Sequence, residues 1–142
     1  MADSPPQEVL LIEDSPSDRY LIHKALAVYG PALRVSVVLT GSQALAFLRH
    51  EAPFTQAPCP ALILLDLSLP HLSGIEVLAE VRRLPAYRTT PVVVFSSASR
   101  EVEEQRCRQL GATAYVQKSP DLYEFFAALR AIVEQWLKPL AG

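Results

Sequence analysis

Asp66 closes the apolar run Leu62-Ile63-Leu64-Leu65, and a second apolar run, Val9-Leu10-Leu11-Ile12, ends in the acidic pair Glu13-Asp14. Buried parallel strands that stop at carboxylates deliver them to the carboxyl edge of a sheet. Three carboxylates meeting there raise one another's pKa unless a cation neutralises them. Glu13, Asp14 and Asp66 therefore form a candidate site for a divalent cation. Lys118 follows a third apolar stretch, Ala114-Tyr115-Val116, and can add one more positive charge to the same rim. Simpler uses exist for each residue alone. Acidic residues before a helix favour its dipole, Asp66 could serve an ordinary turn, and Lys118 could be an exposed strand-end charge. Those uses do not explain why all four stand at carboxyl ends of strands.

The elements that must position these side chains alternate strand and helix five times. Val9 to Ile12 predicts the first strand. Ser15 reads as the N-cap of the first helix, with Pro16 at its first position and Asp18 completing a capping-box-like pattern. That helix runs through Leu21, Leu26 and Val28 and stops at Gly30-Pro31. Val35 to Leu39 is a second strand, whose polar Ser36 suits an edge. Thr40-Gly41-Ser42-Gln43 caps a second helix through Leu45 and Leu48, and a Pro-rich loop follows from about Glu51 to Pro60. Leu62 to Leu65 is the third strand, and Ser73-Gly74 opens a helix with Ile75, Leu78 and Val81 at helical spacing. Val92 to Phe95 is the fourth strand, and Ser99 or Arg100 to Leu110 forms a highly charged helix closed by Gly111. Ala114 to Val116 is the fifth strand, and Ser119-Pro120 opens a last helix whose apolar positions run from Leu122 to Leu137. Short connections between parallel strands require helical crossovers covering both faces. The expected fold is α/β: a doubly wound, five-stranded parallel sheet of flavodoxin-like order 2-1-3-4-5, with ligands at the switch point between the first and third strands.

The chain of 142 residues carries a net charge of −2 and half its residues are apolar. One domain with a substantial core is expected. No basic run points to nucleic acid, no apolar run approaches membrane-spanning length, and the N-terminus lacks the pattern of a secretory signal. A cytoplasmic protein, with no nucleic acid or membrane partner, is expected. Cys59 and Cys107 lack metal or redox spacing and read as one loop thiol and one small core residue. His23, His50 and His71 are scattered.

Glu13-Asp14, Asp66 within Leu62 to Pro70, Gly74, Ser96, Tyr115 and Lys118 together resemble the receiver domains of two-component response regulators. The resemblance runs from about Val9 to Trp136, and the intervals from Asp66 to Ser96, Tyr115 and Lys118 match the chemotaxis-regulator pattern without a gap. The opening Glu13-Asp14-Ser15-Pro16-Ser17-Asp18, the long loop before the third strand and the Lys118-Ser119 pair are similar to single-domain regulators serving bacterial and cyanobacterial phytochrome kinases. The resemblance implies that Asp66 accepts a phosphoryl group from a histidine kinase. It implies Mg²⁺ held by Asp14, Asp66, the Ser68 backbone carbonyl and Glu13, the last directly or through water. Lys118, with Mg²⁺, would offset the three carboxylates, the Ser96 hydroxyl would donate to a phosphoryl oxygen, with Ser97 as rival to Ser96, and Tyr115 would be the aromatic switch on the face made by the fourth helix, fifth strand and fifth helix. The implied protein is not a turnover enzyme on an external substrate. It would lose its phosphoryl group slowly, because neither Ser68 nor Ala98 is a strong water-orienting side chain.

The pattern departs from many receivers in having Ser119, not Pro, after Lys118, which leaves open whether that bond is cis. Residues 8–138 would form the receiver, 1–7 a flexible leader and 139–142 a tail, with no output domain. Signalling would then proceed by protein contact. A homodimer through the fourth helix, fifth strand and fifth helix is expected, anchored by Trp136 and Leu137, unless that end folds back on its own sheet. Two other classes share the fold or the nucleophile. A flavodoxin-like protein would bind FMN at the switch point, where Glu13 and Asp14 would repel its phosphate. An aspartyl-nucleophile phosphatase would use Asp66, usually with a second acid where Ser68 stands. A degenerate receiver acting only as a binding module is the remaining alternative.

Overall fold

A computed structural model describes residues 5–97 and 101–139. Ala98 and the Ser99-Arg100 start foreseen for the fourth helix lie outside the described residues. Five parallel strands, β1 (Gln7–Ile12), β2 (Leu33–Val38), β3 (Leu62–Leu65), β4 (Val92–Ser96) and β5 (Ala114–Gln117), run in the order β2-β1-β3-β4-β5. Helices α1 (Pro16–Leu26), α2 (Gly41–Arg49), α3 (Gly74–Arg83), α4 (Glu101–Gln109) and α5 (Leu122–Trp136) connect or follow them. The expected fold and strand order are those observed.

Side chains alternate between the two faces of a strand, so each apolar strand feeds two cores. Leu10, Ile12, Ile63, Leu65, Val92 and Val94 pack with α2, α3 and Cys107 of α4. Val9, Leu11, Leu62, Leu64, Val93 and Phe95 pack with α1 and α5. A strand covered on both sides must be apolar at every position, and the four residues of β3 are buried without exception. Burying one such Leu stabilises the fold by roughly 2 kcal/mol. Edge strand β2 keeps its middle residues half-buried.

The helix ends follow local side-chain chemistry. Ser15, Thr40, Ser73 and Asp121 cap α1, α2, α3 and α5 by accepting the backbone N–H three residues on. The last helix therefore begins beyond Ser119-Pro120. Ser119 instead accepts the Asp121 N–H and donates to Glu124, bracing that cap. Helix α1 stops at Leu26, earlier than the Gly30-Pro31 signal. A 3-10 segment, Ala27–Ala32, continues to that point and turns at Gly30, whose φ of 56° suits a residue without Cβ. Val28, expected inside the helix, is exposed on this segment.

Two expectations about the chain ends need correction. Gln7, expected at the end of a flexible N-terminus, is the first residue of β1. Its amide is bonded both ways to the Lys138 backbone, at 2.9 and 3.0 Å. Leu137 is 8% exposed and belongs to the core beneath α1 and α5, with Trp136 packed against it. The end of α5 folds onto its own sheet and is not a spare apolar anchor.

Candidate phosphoryl-acceptor site

Strand register brings the acidic residues together. Ile12 pairs with Leu65, so the next residues, Glu13 and Asp66, emerge side by side. Their N–H groups still extend the ladder, Glu13 N to the Val38 carbonyl and Asp66 N to the Ile12 carbonyl, both at 3.1 Å. On the other flank Ser96 pairs with Gln117, and the Lys118 N–H donates to the Ser96 carbonyl at 2.7 Å. Each functional side chain thus follows directly from a strand that cannot slide without exposing its apolar face.

Glu13, Asp14 and Asp66 each offer a carboxylate oxygen within 4.8 Å of the others. Glu13 and Asp66 are buried, and Asp14 is half-buried. Arg19 on α1 secures the turn that carries the pair by donating to the Asp14 carbonyl at 2.7 Å. Gly74 secures the other side, because a Cβ there would stand 2.6 Å from the Asp66 carbonyl oxygen. The Ser68 N–H donates to Asp66 Oδ1 at 3.3 Å. An all-oxygen set carrying this much charge fits a hard divalent cation of the Mg²⁺ or Mn²⁺ kind.

Lys118 Nζ lies 2.6 Å from Glu13 Oε1, 2.8 Å from Asp18 Oδ2 and 3.7 Å from Asp66 Oδ2. The ammonium also lies over the Phe95 ring, 5.7 Å from its centre. Burial alone would lower the Lys118 pKa. The hydrogen bonds to Asp18 and Glu13, with the charges of Asp66 and Glu13, outweigh it and leave the value raised. Glu13 moves the other way from an ordinary acid. Burial, reinforced by Asp66 and opposed by Lys118, pushes its pKa from 4.5 up to about 7. A single ammonium does not compensate this cluster, which is what a cation site requires.

Asp18 is the residue that sequence reasoning missed as a member of the site. Its spacing from Ser15 predicts half of a capping box, and one half is present, since its N–H donates to the Ser15 hydroxyl at 3.3 Å. Its carboxylate, however, turns to Lys118, and Glu13 Oε2 accepts the Ser15 N–H instead. Ser96 is fully buried at the end of β4, whereas Ser97 is exposed and lines a pocket of about 430 Å³ with Asp18 and Lys118. Tyr115 is half-buried against the core on the α3 and α4 side. Burial and the Glu103 charge raise its pKa, while a hydrogen bond with the Ser96 side chain opposes the rise. The Lys118-Ser119 bond is trans, the cis bond among the described residues being Ala52-Pro53. Cys59 is exposed and Cys107 buried, as expected, and among the described residues no helix is long and apolar enough to cross a membrane.

The doubly wound sheet carries an acidic trio at its switch point, with Lys118 two strands away beyond β5 and Ser96 on the strand between, an arrangement suited to a signalling domain that takes up an anionic group beside a cation. The chain belongs to the response regulator receiver domain family, whose model matches residues 9–130. It is 34% identical over 135 residues to the response regulator Rcp1 of Synechocystis, covering 95% of this chain and 92% of that one. Among solved structures, the phosphorylated cyanobacterial phytochrome response regulator RcpA superposes with a TM-score of 0.90 at 37% identity, covering 96% of this chain and 99% of that one. The Mn²⁺-bound form of Rcp1 gives 0.88 at 33% identity, with 96% and 100% covered. The bacteriophytochrome response regulator AtBRR gives 0.78 at 32%, with 98% and 99% covered. Family membership makes this a signalling domain and removes the flavodoxin-like reading with its FMN.

Proposed function

We propose that the chain is the phosphoryl acceptor of a two-component relay, taking its phosphoryl group onto Asp66 from the phosphohistidine of a phytochrome-type sensor kinase. The observation that carries this is the Glu13-Asp14-Asp66 cluster with Lys118 on one rim. The likeness to RcpA, Rcp1 and AtBRR supports the class of kinase. An Asp66 carboxylate oxygen attacks phosphorus, the P–N bond to the kinase imidazole breaks and an acyl phosphate forms. Lys118 donates to the phosphoryl oxygens, and Ser96, on the same rim, turns its hydroxyl toward them. Glu13, Asp14, Asp66 and the Ser68 carbonyl would hold Mg²⁺, whose charge would offset the carboxylates as the anionic donor approaches. Because Ser96 is bonded to Tyr115, its turn frees the ring, and the face of α4, β5 and α5 shifts between two arrangements.

Intact mass after incubation with acetyl phosphate and Mg²⁺ tests the assignment. One phosphoryl group is expected on the wild type and none on Asp66→Asn, which keeps the shape but loses the nucleophile. Labelling of Asp66→Asn at the wild-type level refutes it. Self-association through α4, β5 and α5 belongs to the same proposal. Val102 of α4 and Leu122 and Tyr123 of α5 are exposed at 80%, 51% and 82%, an apolar set that the buried Leu137 cannot supply. Sedimentation at roughly tens of micromolar should show a dimer that Val102→Glu/Tyr123→Glu dissociates, and a monomeric wild type would refute the contact.

A further inference from the structure

Lys118 has three N–H donors and meets three carboxylates at unequal distances. Glu13 and Asp18 lie within hydrogen-bond reach, and Asp66 stands just outside it. Asp66 has one oxygen, Oδ1, engaged by the Ser68 N–H, and its other oxygen, Oδ2, is the one facing Lys118. Oδ2 is thus the oxygen that a direct ion pair would occupy. A charge-assisted bond there would tie up electron density needed for metal binding and for attack on phosphorus. Only a small swing of the lysine separates the two arrangements. What opposes that swing is Asp18, which pulls Nζ toward α1 from a position in the first helical turn.

Resting on Asp66 as the phosphoryl acceptor, we propose that Asp18 is a positioning residue: it holds the Lys118 ammonium off Asp66 while leaving the third N–H directed at the space a phosphoryl group enters. The three donors are then divided among Glu13, Asp18 and the phosphoryl group, and none has to be surrendered when the acyl phosphate forms. Asp18 acts as a hydrogen-bond acceptor in this role, so an amide oxygen in its place preserves it. Its carboxylate is partly exposed and the Ser15 hydroxyl remains to cap α1, so the side chain can be changed without opening the core.

The test compares wild type with Asp18→Ala, Asp18→Asn and Asp66→Asn, with Asp18→Ser as a second truncation should Asp18→Ala fail to fold by circular dichroism. Phosphorylation by acetyl phosphate is timed by intact mass at saturating Mg²⁺, and metal affinity is measured separately from the free-ion Mn²⁺ spin resonance signal. The truncated variant should be phosphorylated about fivefold more slowly even when saturated with metal, the loss expected of one hydrogen bond. Asp18→Asn should stay within about twofold of wild type. A purely structural residue would change unfolding and metal affinity but not the saturated rate. A truncated variant at the wild-type rate, or an amide variant as slow as the truncation, overturns the inference. Failure of the parent reading looks different, because wild type would then be unlabelled or Asp66→Asn labelled equally.

Discussion

Lys118 at the carboxyl edge of the sheet and Arg82 at its amino edge are each the hub of a hydrogen-bond cluster, built from opposite kinds of acceptor. Arg82 Nε donates to the Gly111 carbonyl at 2.9 Å, and Nη1 donates to the carbonyls of Tyr87 and Thr90 at 2.7 and 2.8 Å. Nη2 reaches the Thr113 hydroxyl at 3.3 Å. Four of the five N–H groups of the rigid guanidinium fork are taken by neutral acceptors around the starts of β4 and β5, and among the described residues it makes no ion pair. Burial lowers its pKa without giving it any reason to move. Lys118 is a single flexible point charge among carboxylates that outnumber it. One end of the sheet is closed by its own sequence, and the other keeps more carboxylate charge than its one ammonium can offset.

The strongest way to break that contrast is to remove both hubs and ask what rescues them. Arg82→Met orphans carbonyls that no solute can satisfy. It should lower unfolding stability by about 3 kcal/mol in urea titrations, with or without Mg²⁺, and leave labelling of Asp66 intact in the folded protein. Lys118→Met leaves Glu13 and Asp66 without their counter-charge. The metal-free variant should be destabilised at pH 8, Mg²⁺ should restore most of the loss, and labelling should fall sharply. Equal Mg²⁺ rescue of both variants, or of neither, would erase the distinction.

Glu13 sharpens the comparison through pH. Its folded pKa of about 7 lies above its ordinary 4.5, so the folded chain binds the extra proton between those values. The stability it contributes is full below the ordinary value and lost as pH rises through the folded one. Metal-free wild type should therefore lose stability between about pH 5 and pH 8 more steeply than Glu13→Gln. Saturating Mg²⁺, which uses the carboxylate form, should flatten the wild-type curve. Parallel curves for the two metal-free proteins would show that Glu13 is already charged in the fold.

What the sequence discloses tracks the same division. The apolar runs ending in Glu13-Asp14 and Asp66 made the carboxylate cluster legible because parallel register converts strand ends into neighbours. Lys118 was legible for the same reason, standing one residue beyond β5. Asp18 was not, since its local spacing to Ser15 has a sufficient explanation as a cap and its partner is 100 positions away. Arg82 sits beside Arg83 at the end of α3, and nothing in composition tells which turns inward. Arg83 pairs with Glu80 at 2.8 Å in solvent, while Arg82 binds backbone that sequence patterns do not mark. The tail misled for a related reason. Helical spacing identified Trp136 and Leu137 as apolar, but not that they pack back onto the sheet, where the Gln7 clamp on Lys138 also holds the chain end.

The smallest expected effect concerns what the charged rim still lacks. Hydrolysis of an acyl phosphate on Asp66 needs a water in line with the phosphorus, and a side chain with a carboxylate or amide at the right distance orients it. Ser68 is exposed, and its N–H is occupied by Asp66 Oδ1, so its short hydroxyl is the group left to meet that water. Ala98, two residues past Ser96, offers no polar side chain at all. The phosphorylated form should accordingly be long-lived, and Ser68→Asn/Ala98→Glu should shorten its life by roughly threefold or more without changing how fast it forms. Loss of the added phosphoryl mass after acetyl phosphate is removed by desalting measures both proteins directly. A double variant that decays no faster than wild type would mean that water reaches the phosphorus without help from these two positions, and that lifetime is set instead by how tightly Lys118 and the metal hold the phosphoryl oxygens.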